Sequence, residues 1–344
     1  MQSPNEAVSD ALSKAYSKGS MLAGVTEEHG LARRYAEDFL SFVKQSLRSD
    51  RFGGTKVLEI GCGTGYFLYR MKLLGADVLG IEPGVHGQEG SKRFQVPIIK
   101  DIFPSEQITG KFDLVVLHNV LEHIQSPSEF ISFIPAQLNE NGRISVAVPD
   151  CDPHILVGDV SMLFHEHMNY YTTTSLRNSL LSAGLNADIE KSSFGGALYA
   201  ITKSPTSTPI RGESQTGPEV QRLFGYARRA KEAVMRSLRC FEVANEKGES
   251  MGIYAPGRAI NALSMMRSRV DLSKVRFFDD DEALHKKYFP GFDIPVESRD
   301  ALIRKPTNQV LIMSRSFGKR IAHELRSSMD KRLMITMWED LFMS

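Results

Sequence analysis

Three glycines at alternate positions follow an acidic residue and a short apolar stretch. Residues 59–65 read Glu-Ile-Gly-Cys-Gly-Thr-Gly, and the apolar residues before them predict a buried strand. Without Cβ atoms at Gly61, Gly63 and Gly65, the backbone can turn tightly and let a ligand lie against it. Together with Glu59, these glycines are the first candidate binding residues.

Polar side chains at the ends of the following strands are expected to border the same ligand. Glu82 lies about 20 residues beyond the first glycine, where an acid can accept hydrogen bonds from both hydroxyls of a ribose. Asp101 and Ile102 follow a third apolar segment and are expected to flank an adenine. His118 and Asn119 end a fourth strand, whose carboxyl end borders the same crevice.

The glycine spacing and the acidic residue distinguish between ligand classes. A dinucleotide fingerprint spaces its glycines G-x-G-x-x-G, so that a pyrophosphate sits at the helix N-terminus. Here the third glycine comes one residue early, and Glu59 stands two residues before the first glycine. A carboxylate there suits the ammonium and sulfonium of S-adenosylmethionine, which we predict as the cofactor. Another nucleotide, or a fold with an empty pocket, is the alternative.

A second polar cluster lies at residues 164–171, which read Phe-His-Glu-His-Met-Asn-Tyr-Tyr. In an extended segment, His165 and His167 face one way and Glu166 faces the other. A carboxylate beside an imidazole favours general-base chemistry near neutral pH, so these three residues are the candidate catalytic groups. The alternative is a hydrogen-bonded loop without a chemical role.

Metal binding is the other alternative for the histidine cluster. His-x-His can ligate zinc, but no third ligand is evident from the spacing and His-Glu-x-x-His is absent, so no metal is predicted. His123 is interpreted as a helix-packing or capping residue, and Cys62 as a packing residue rather than a nucleophile.

The elements that must position these residues are alternating strands and helices. Such alternation predicts a parallel sheet covered on both faces, with a late pair of strands that could be antiparallel. The predicted strands lie at 57–60, 78–81, 114–117, 144–148, 188–192 and 197–202.

A second alternating unit follows a polar stretch rich in Pro, Ser, Thr and Gly. Its predicted strands lie at 252–255, 275–278 and 310–314. With 344 residues the chain is long enough for two domains. The predicted organisation is an N-terminal helical segment at 1–50, a cofactor-binding domain at 51–204, a linker at 205–218 and a C-terminal α/β domain at 219–344.

Composition excludes several classes of function. The net charge is +1, which gives no bulk electrostatic case for nucleic acid or an anionic membrane. No apolar stretch is long enough to predict a membrane span, and no signal peptide is evident. Three widely spaced cysteines fit a reducing compartment, and a cytoplasmic location is therefore expected. The sequence offers no support for an oligomer.

The polar residues of the first unit resemble those of the class I S-adenosylmethionine-dependent methyltransferases. The matching positions are 59–65, Glu82, Asp101 and 118–123. The resemblance implies a Rossmann-like methyltransferase sheet, here followed by a second, smaller Rossmann-like α/β lobe.

A closer resemblance is to the C-methyltransferases of nucleotide-linked keto-sugars. It covers about residues 16–326, and its motifs fall at 164–171, 194–198, 252–261, 279–296 and 316–317. It implies methyl transfer to a carbon beside a keto group, with His167 or Glu166 as the base.

In that family the second unit is expected to hold the nucleotide-sugar. The resemblance makes Tyr254, Arg258 and Asn261 candidates for contacts with phosphate, sugar or base. A structural or dimerising lobe is the alternative. NAD binding is a weaker alternative. Asp279 ends a strand, where a ribose-binding acid would lie, but Tyr254 occupies the middle-glycine position of the dinucleotide fingerprint.

This chain departs from the family pattern at several points. The Cys-rich zinc module that often begins the family's sequences is lacking, and Phe164 and Phe194 replace a tyrosine and a histidine. Glu166 and His167 are kept. We predict C-methylation of a nucleotide-linked sugar. O-methylation of a sugar or small molecule is the first alternative, and a non-catalytic saccharide- or nucleotide-binding scaffold is the second.

Overall fold

The computed structural model divides the chain into two compact units. The first comprises Met1–Asp152 and His165–Ser214, and the second comprises Pro153–Phe164 and Gln215–Ser344. The structure describes Lys14 and residues 31–163, 166–203, 216–257, 260–289, 291–314, 317–329 and 333–343.

Seven strands of the first unit form one sheet, in the order β3-β2-β1-β4-β5-β7-β6. Strands β1 to β5 pair in parallel, and β7 runs antiparallel to both β5 and β6. The strands are β1 Lys56–Ile60, β2 Asp77–Ile81, β3 Ile98–Ile99, β4 Phe112–His118, β5 Leu138–Pro149, β6 Ala187–Lys191 and β7 Ala197–Thr202.

Helices connect these strands and continue into the second unit. They are α1 Leu31–Leu47, α2 Tyr66–Leu73, α3 Val85–Phe94, α4 Pro127–Ser132, α5 Asp152–Val157, α6 Thr173–Ser182, α7 Thr216–Glu246, α8 Ile260–Met266, α9 Arg299–Arg304, α10 Gly318–Ser328 and α11 Asp340–Met343.

The central strands of the first sheet contain runs of apolar residues, as expected where both faces of a sheet are covered. Along β4, Leu114 and Val116 join one buried cluster, whereas Val115 and Leu117 join another. Successive side chains of a strand point to opposite faces, so these clusters are the two cores of the unit. Helix α1 packs into the first of them through Phe39 and its apolar stripe.

The second unit contains a five-stranded sheet in the order β10-β9-β8-β11-β12, and every pair in it is parallel. The strands are β8 Met251–Tyr254, β9 Val275–Phe278, β10 Val296–Glu297, β11 Gln309–Ile312 and β12 Met334–Met337. The predicted α/β fold with two sheets is confirmed. The sequence did not indicate β10 or β12; β10 has only two residues.

One boundary differs from the sequence-based division. Residues 153–163 fall inside the predicted first domain but pack with the second unit, against α7. A Cβ on Gly158 would come within 2.6 Å of the Ala230 nitrogen, and the Tyr226 hydroxyl donates to the Asp159 carbonyl at 3.3 Å. Most of the predicted linker lies outside the described residues. Within the described residues, no helix is long and apolar enough to cross a membrane.

Candidate functional site

The glycine loop between β1 and α2 has a backbone that other residues could not follow without strain. Gly61 and Gly65 have φ values of 69° and 75°. A Cβ on Gly61 would lie 2.7 Å from the Val120 Cγ2, and a Cβ on Gly65 would lie 2.9 Å from the Ile98 Cδ1. The loop is therefore a cradle whose surface is backbone, as the sequence predicts.

The carboxylate of Glu82 is held against this loop by backbone donors. The amide of Gly63 donates to one carboxylate oxygen at 3.0 Å, and the amide of Gly84 donates to the other at 2.8 Å. A carboxylate oxygen has two lone pairs, so each can accept a further hydrogen bond. Glu82 is thus fixed in place and retains acceptor capacity for a ribose.

Helix α3 packs closely against the glycine loop at Gly90, a residue that the sequence pattern does not indicate. Gly90 lies so close that a Cβ there would be 1.9 Å from the carbonyl oxygen of Thr64. Backbone cannot move aside as a flexible side chain can, so only glycine fits this contact. Glu59, the penultimate residue of β1, is 2% exposed.

Asp101 and Ile102 lie beyond β3 and differ in character. Asp101 accepts hydrogen bonds from the Ser105 hydroxyl at 2.6 Å, the Ile102 amide at 2.8 Å and the Gln107 side chain at 2.9 Å. These hydrogen bonds hold the pKa of Asp101 below its usual value. Ile102 exposes 68% of its surface, which leaves an apolar side chain open to a flat ring.

His118 and Asn119 end β4 at the carboxyl edge of the sheet. The His118 ring stacks on Phe39 of α1 with centroids 4.9 Å apart, and burial lowers the pKa of His118 to about 4. His118 is therefore neutral at pH 7. Asn119 adopts a left-handed backbone with φ 57°, its amide donates to the Ala147 carbonyl at 2.9 Å, and its side chain is exposed.

The predicted catalytic segment is attached to the turn that follows β4. The amides of Met168 and Asn169 donate to the Glu122 carbonyl at 2.7 and 3.0 Å. The Asn169 side chain donates to the Ile124 carbonyl at 2.6 Å. Leu121–His123 forms a 3-10 turn. Two segments far apart in sequence are thereby joined by backbone hydrogen bonds.

This attachment brings together side chains of both segments. The rings of His123 and His167 meet edge to face with centroids 4.9 Å apart. The Nδ1 of His123 lies 3.0 Å from the Glu166 carbonyl, and its Nε2 lies 4.0 Å from a carboxylate oxygen of Glu122. Glu122 is 1% exposed. His123 therefore contacts the catalytic candidates. Its position in the sequence does not indicate this contact.

Burial and charge shape this cluster. Burial lowers the pKa of His123, although the hydrogen bond to Glu166 opposes the shift. Burial, followed by the charge of Glu122, raises the pKa of Tyr171. Burial also raises the pKa of the Cys151 thiol to about 12, so Cys151 is a poor nucleophile.

Phe194, which replaces a histidine of the family motif, lies in the turn before β7. Its ring meets Tyr35 of α1 edge to face with centroids 5.0 Å apart, and the Arg34 guanidinium lies 5.9 Å from it. Asp38 of α1 also holds this turn by accepting a hydrogen bond from the Ser192 hydroxyl at 2.6 Å. The turn is thus fixed to α1, and Phe194 keeps 39% of its surface exposed.

The predicted substrate residues of the second unit are only partly described. Tyr254 ends β8 and is fully buried; its hydroxyl donates to Asp280 at 2.5 Å and accepts from the Arg299 Nε at 2.8 Å. A substrate hydrogen bond to this hydroxyl would have to replace one of those partners. His165, Arg258 and the side chain of Asn261 lie outside the described residues.

The residues of the first unit fit S-adenosylmethionine. The cradle is made of backbone where Cβ atoms would clash, and Glu82 keeps acceptor capacity for ribose hydroxyls. Ile102 offers an apolar surface for the adenine.

Comparisons with known proteins agree with this fit. The family model for a methyltransferase domain matches residues 28–189. A tRNA U34 carboxymethyltransferase of Hydrogenovibrio crunogenus is 32% identical over 119 residues, which cover 30% of this chain and 36% of that protein. A mitochondrial ubiquinone biosynthesis O-methyltransferase of Schizosaccharomyces pombe is 29% identical over 115 residues, 30% of this chain and 42% of that protein.

One relative matches over a longer span. The C-methyltransferase NovU of Streptomyces niveus is 22% identical over 292 residues, covering 78% of this chain and 68% of that protein. Among solved structures, the 1,6-didemethyltoxoflavin-N1-methyltransferase of Burkholderia thailandensis has a TM-score of 0.45 and 15% identity, covering 60% of this chain and 94% of that one.

The matched region coincides with the glycine loop and the sheet that carries it. Residues 28–189 match the methyltransferase domain, and the described residues of this region supply strands β1 to β5 of the first sheet. The predictions of S-adenosylmethionine as cofactor and of a methyltransferase are confirmed for this domain.

Proposed function

We propose that this chain transfers the methyl group of S-adenosylmethionine to a carbon of a nucleotide-linked keto-sugar. The similarity to a C-methyltransferase supports the proposal, because it covers 78% of the chain and so extends beyond the methyltransferase domain. The motifs shared with the sugar C-methyltransferases support the choice of acceptor.

The attachment of residues 166–171 to the turn after β4 carries this proposal. Asn119 borders the cofactor crevice, and the turn Leu121–His123 follows it directly. Backbone hydrogen bonds to Glu122 hold the segment there, and His167 contacts His123. In this arrangement a base lies beside the expected position of the methyl donor.

The chemistry assigned to His167 is proton removal. His167 takes a proton from the carbon beside the keto group, and the resulting enolate carbon attacks the methyl of the sulfonium. A carbon–carbon bond forms, the carbon–sulfur bond breaks, and its electron pair stays on sulfur to give S-adenosylhomocysteine. Orienting the two reactants can contribute about 7–11 kcal/mol to lowering such a barrier.

The cofactor contacts follow from the loop. Glu82 accepts the ribose hydroxyls, Asp101 and Ile102 flank the adenine, and Glu59 faces the cationic end. Gly61, Gly63 and Gly65 provide the backbone surface, and His118 and Asn119 close the crevice at the end of β4. Arg258 and Asn261 are proposed to bind the nucleotide of the acceptor in the second unit.

O-methylation is the second candidate. The similarity of this chain to ubiquinone biosynthesis O-methyltransferases favours it, and Phe194 has no polar group to share in proton transfer from carbon. In that reaction His167 would deprotonate a hydroxyl, and the oxygen would attack the methyl group.

Exchange of carbon-bound hydrogen with solvent separates the two reactions. Nucleotide-linked keto-sugars are incubated in D₂O with the protein and S-adenosylhomocysteine, which cannot donate a methyl group. We expect deuterium to enter beside the keto group with the wild type and with His323→Ala, an exposed control, but not with His167→Ala. Exchange by no keto-sugar, with S-adenosylhomocysteine bound, would contradict C-methylation.

A further inference from the structure

The side chains of Glu122, His123 and His167 form a group with the composition of a metal site. One ligand atom from each, two imidazole nitrogens and a carboxylate oxygen, lie within 4.8 Å of one another. Among the described parts of the chain, this is the one such group of three or more His, Cys, Asp or Glu residues. We propose that these three residues bind a divalent transition-metal cation of the zinc type.

The donor set determines the class of cation. Two imidazoles and one carboxylate suit zinc and neighbouring transition metals, whereas magnesium and calcium prefer oxygen ligands. Three protein ligands leave one position of a tetrahedral zinc open, as in catalytic rather than structural sites. The site would therefore admit one oxygen atom from outside the protein.

The backbone contact of His123 prepares its ring for this role. A carbonyl oxygen only accepts hydrogen bonds, so the 3.0 Å contact with the Glu166 carbonyl requires the proton to be on Nδ1. In the neutral ring the lone pair is then on Nε2, the nitrogen 4.0 Å from the Glu122 carboxylate. A hydrogen bond from the other ring nitrogen to a carbonyl is the usual support of a metal-bound histidine.

The distances require a modest closure of the side chains. In a tetrahedral site with bonds of about 2.0–2.1 Å, the ligand atoms lie about 3.4 Å apart. Starting from 4.8 Å or less, the ligand atoms approach one another by at most about 1.4 Å to complete the site. The backbone is already fixed, because the Met168 and Asn169 amides hold the His167 segment to the Glu122 carbonyl.

Burial of Glu122 adds an electrostatic reason. A carboxylate that is 1% exposed has lost most of its hydration, and a buried charge is stabilised by an opposite charge nearby. A divalent cation bound by the cluster would supply such a charge.

A bound metal would occupy the nitrogen lone pair of His167, the residue that the proposed function makes the base. A metal-bound neutral imidazole cannot also take a proton, so we expect bound Zn²⁺ to inhibit methyl transfer. That expectation rests on the proposed function, whereas binding of the metal itself does not.

The test measures metal binding directly on the full chain. The protein is stripped with a chelator, titrated with Zn²⁺ against a chromophoric competitor, and titrated in parallel with Co²⁺ to record its visible absorption. We expect one tight Zn²⁺ per chain and a four- or five-coordinate Co²⁺ spectrum. His123→Ala and Glu122→Gln should weaken Zn²⁺ binding at least 10-fold, whereas the exposed control His323→Ala should not.

S-adenosylmethionine binding is measured on the same samples. It reports that each variant is folded, and it separates this inference from the proposed function. Zn²⁺ binding absent from a wild type that binds S-adenosylmethionine, or equal in His123→Ala and His323→Ala, would overturn the metal site alone. Failure of the wild type to bind S-adenosylmethionine would contradict the proposed function while leaving the metal measurement valid.

Discussion

The glycine loop and the histidine cluster border the same edge of the first sheet but are built in different ways. The loop is a continuous run of backbone, held in place because Gly61, Gly65 and Gly90 leave no space for a Cβ. The cluster is made of side chains from two segments whose contacting residues, His123 and Glu166, are 43 positions apart. Damage to the loop should therefore remove cofactor binding, whereas damage to the cluster should remove catalysis and leave cofactor binding intact.

Removing the base is the change with the largest expected effect. His167→Ala should lower the rate of methyl transfer by about 10²–10⁴-fold, the usual contribution of a general base. The affinity for S-adenosylmethionine should stay within a factor of about three, because the ring contacts of His167 are with His123 and Tyr170. Radiolabel transfer and calorimetry measure the two quantities. An equal loss of methyl transfer and of S-adenosylmethionine affinity would contradict the separate roles of the glycine loop and the histidine cluster.

Filling the contact between α3 and the loop should destabilise the first unit. In Gly90→Ala the new Cβ meets the Thr64 carbonyl at 1.9 Å, so backbone must shift, at a cost of about 3 kcal/mol. The control is Gly53→Ala, where no atom lies within 4 Å of the new Cβ. Hydrogen exchange at β4 amides reports the stability of this unit. Equal protection in the two variants would show that the loop tolerates the displacement.

Weakening the ribose contact should have a moderate effect. Glu82→Gln replaces one acceptor oxygen by a donor NH₂ that faces the amide of Gly63 or Gly84. We expect about 10-fold weaker binding of S-adenosylmethionine, or about 1.4 kcal/mol. The matched control is Glu89→Gln. It makes the same chemical change in helix α3, at a side chain that is 74% exposed. Calorimetry that finds the two variants equal would exclude Glu82 as the ribose ligand.

The smallest effect is expected from acid. Burial lowers the pKa of His118 from 6.5 to about 4, so the unfolded chain takes up a proton between these values before the folded chain does. The contribution of His118 is thus complete above pH 6.5 and is lost as the pH falls towards 4. Since the His118 side chain is partly exposed and solvent screens its charge, we expect a loss of no more than about 1 kcal/mol. Urea denaturation of wild type and His118→Gln should show a steeper acid loss in the wild type; parallel profiles would contradict this.

The difference between the glycine loop and the histidine cluster also explains which features could be predicted from the sequence. The apolar runs of β1, β2 and β4 and the glycines between β1 and α2 are local patterns, so the fold of the first unit and its cofactor could be predicted from them. The sequence did not single out Glu122, and His123 was interpreted as a packing residue. Their neighbour His167 is distant in sequence, and only the fold brings it close to them.

Other features also depend on packing that no local pattern records. Strand β10 has two residues, too few for a period to appear. Pro153–Phe164 is continuous with the first domain in sequence, yet Gly158 and Val160 pack against α7 and the core of the second unit. Gly90 lies inside a helix, where its spacing gives no sign of contact with the loop.

The most direct test of the account is the position of the transferred methyl group. The full chain is incubated with S-adenosylmethionine carrying a ¹³C-labelled methyl group and a panel of nucleotide-linked keto-sugars, and the product is analysed by NMR. The account predicts a new carbon-bound methyl group beside the keto carbon, formed by the wild type and by His323→Ala but not by His167→Ala. A label found only on oxygen, or no transfer while S-adenosylmethionine is bound, would contradict it.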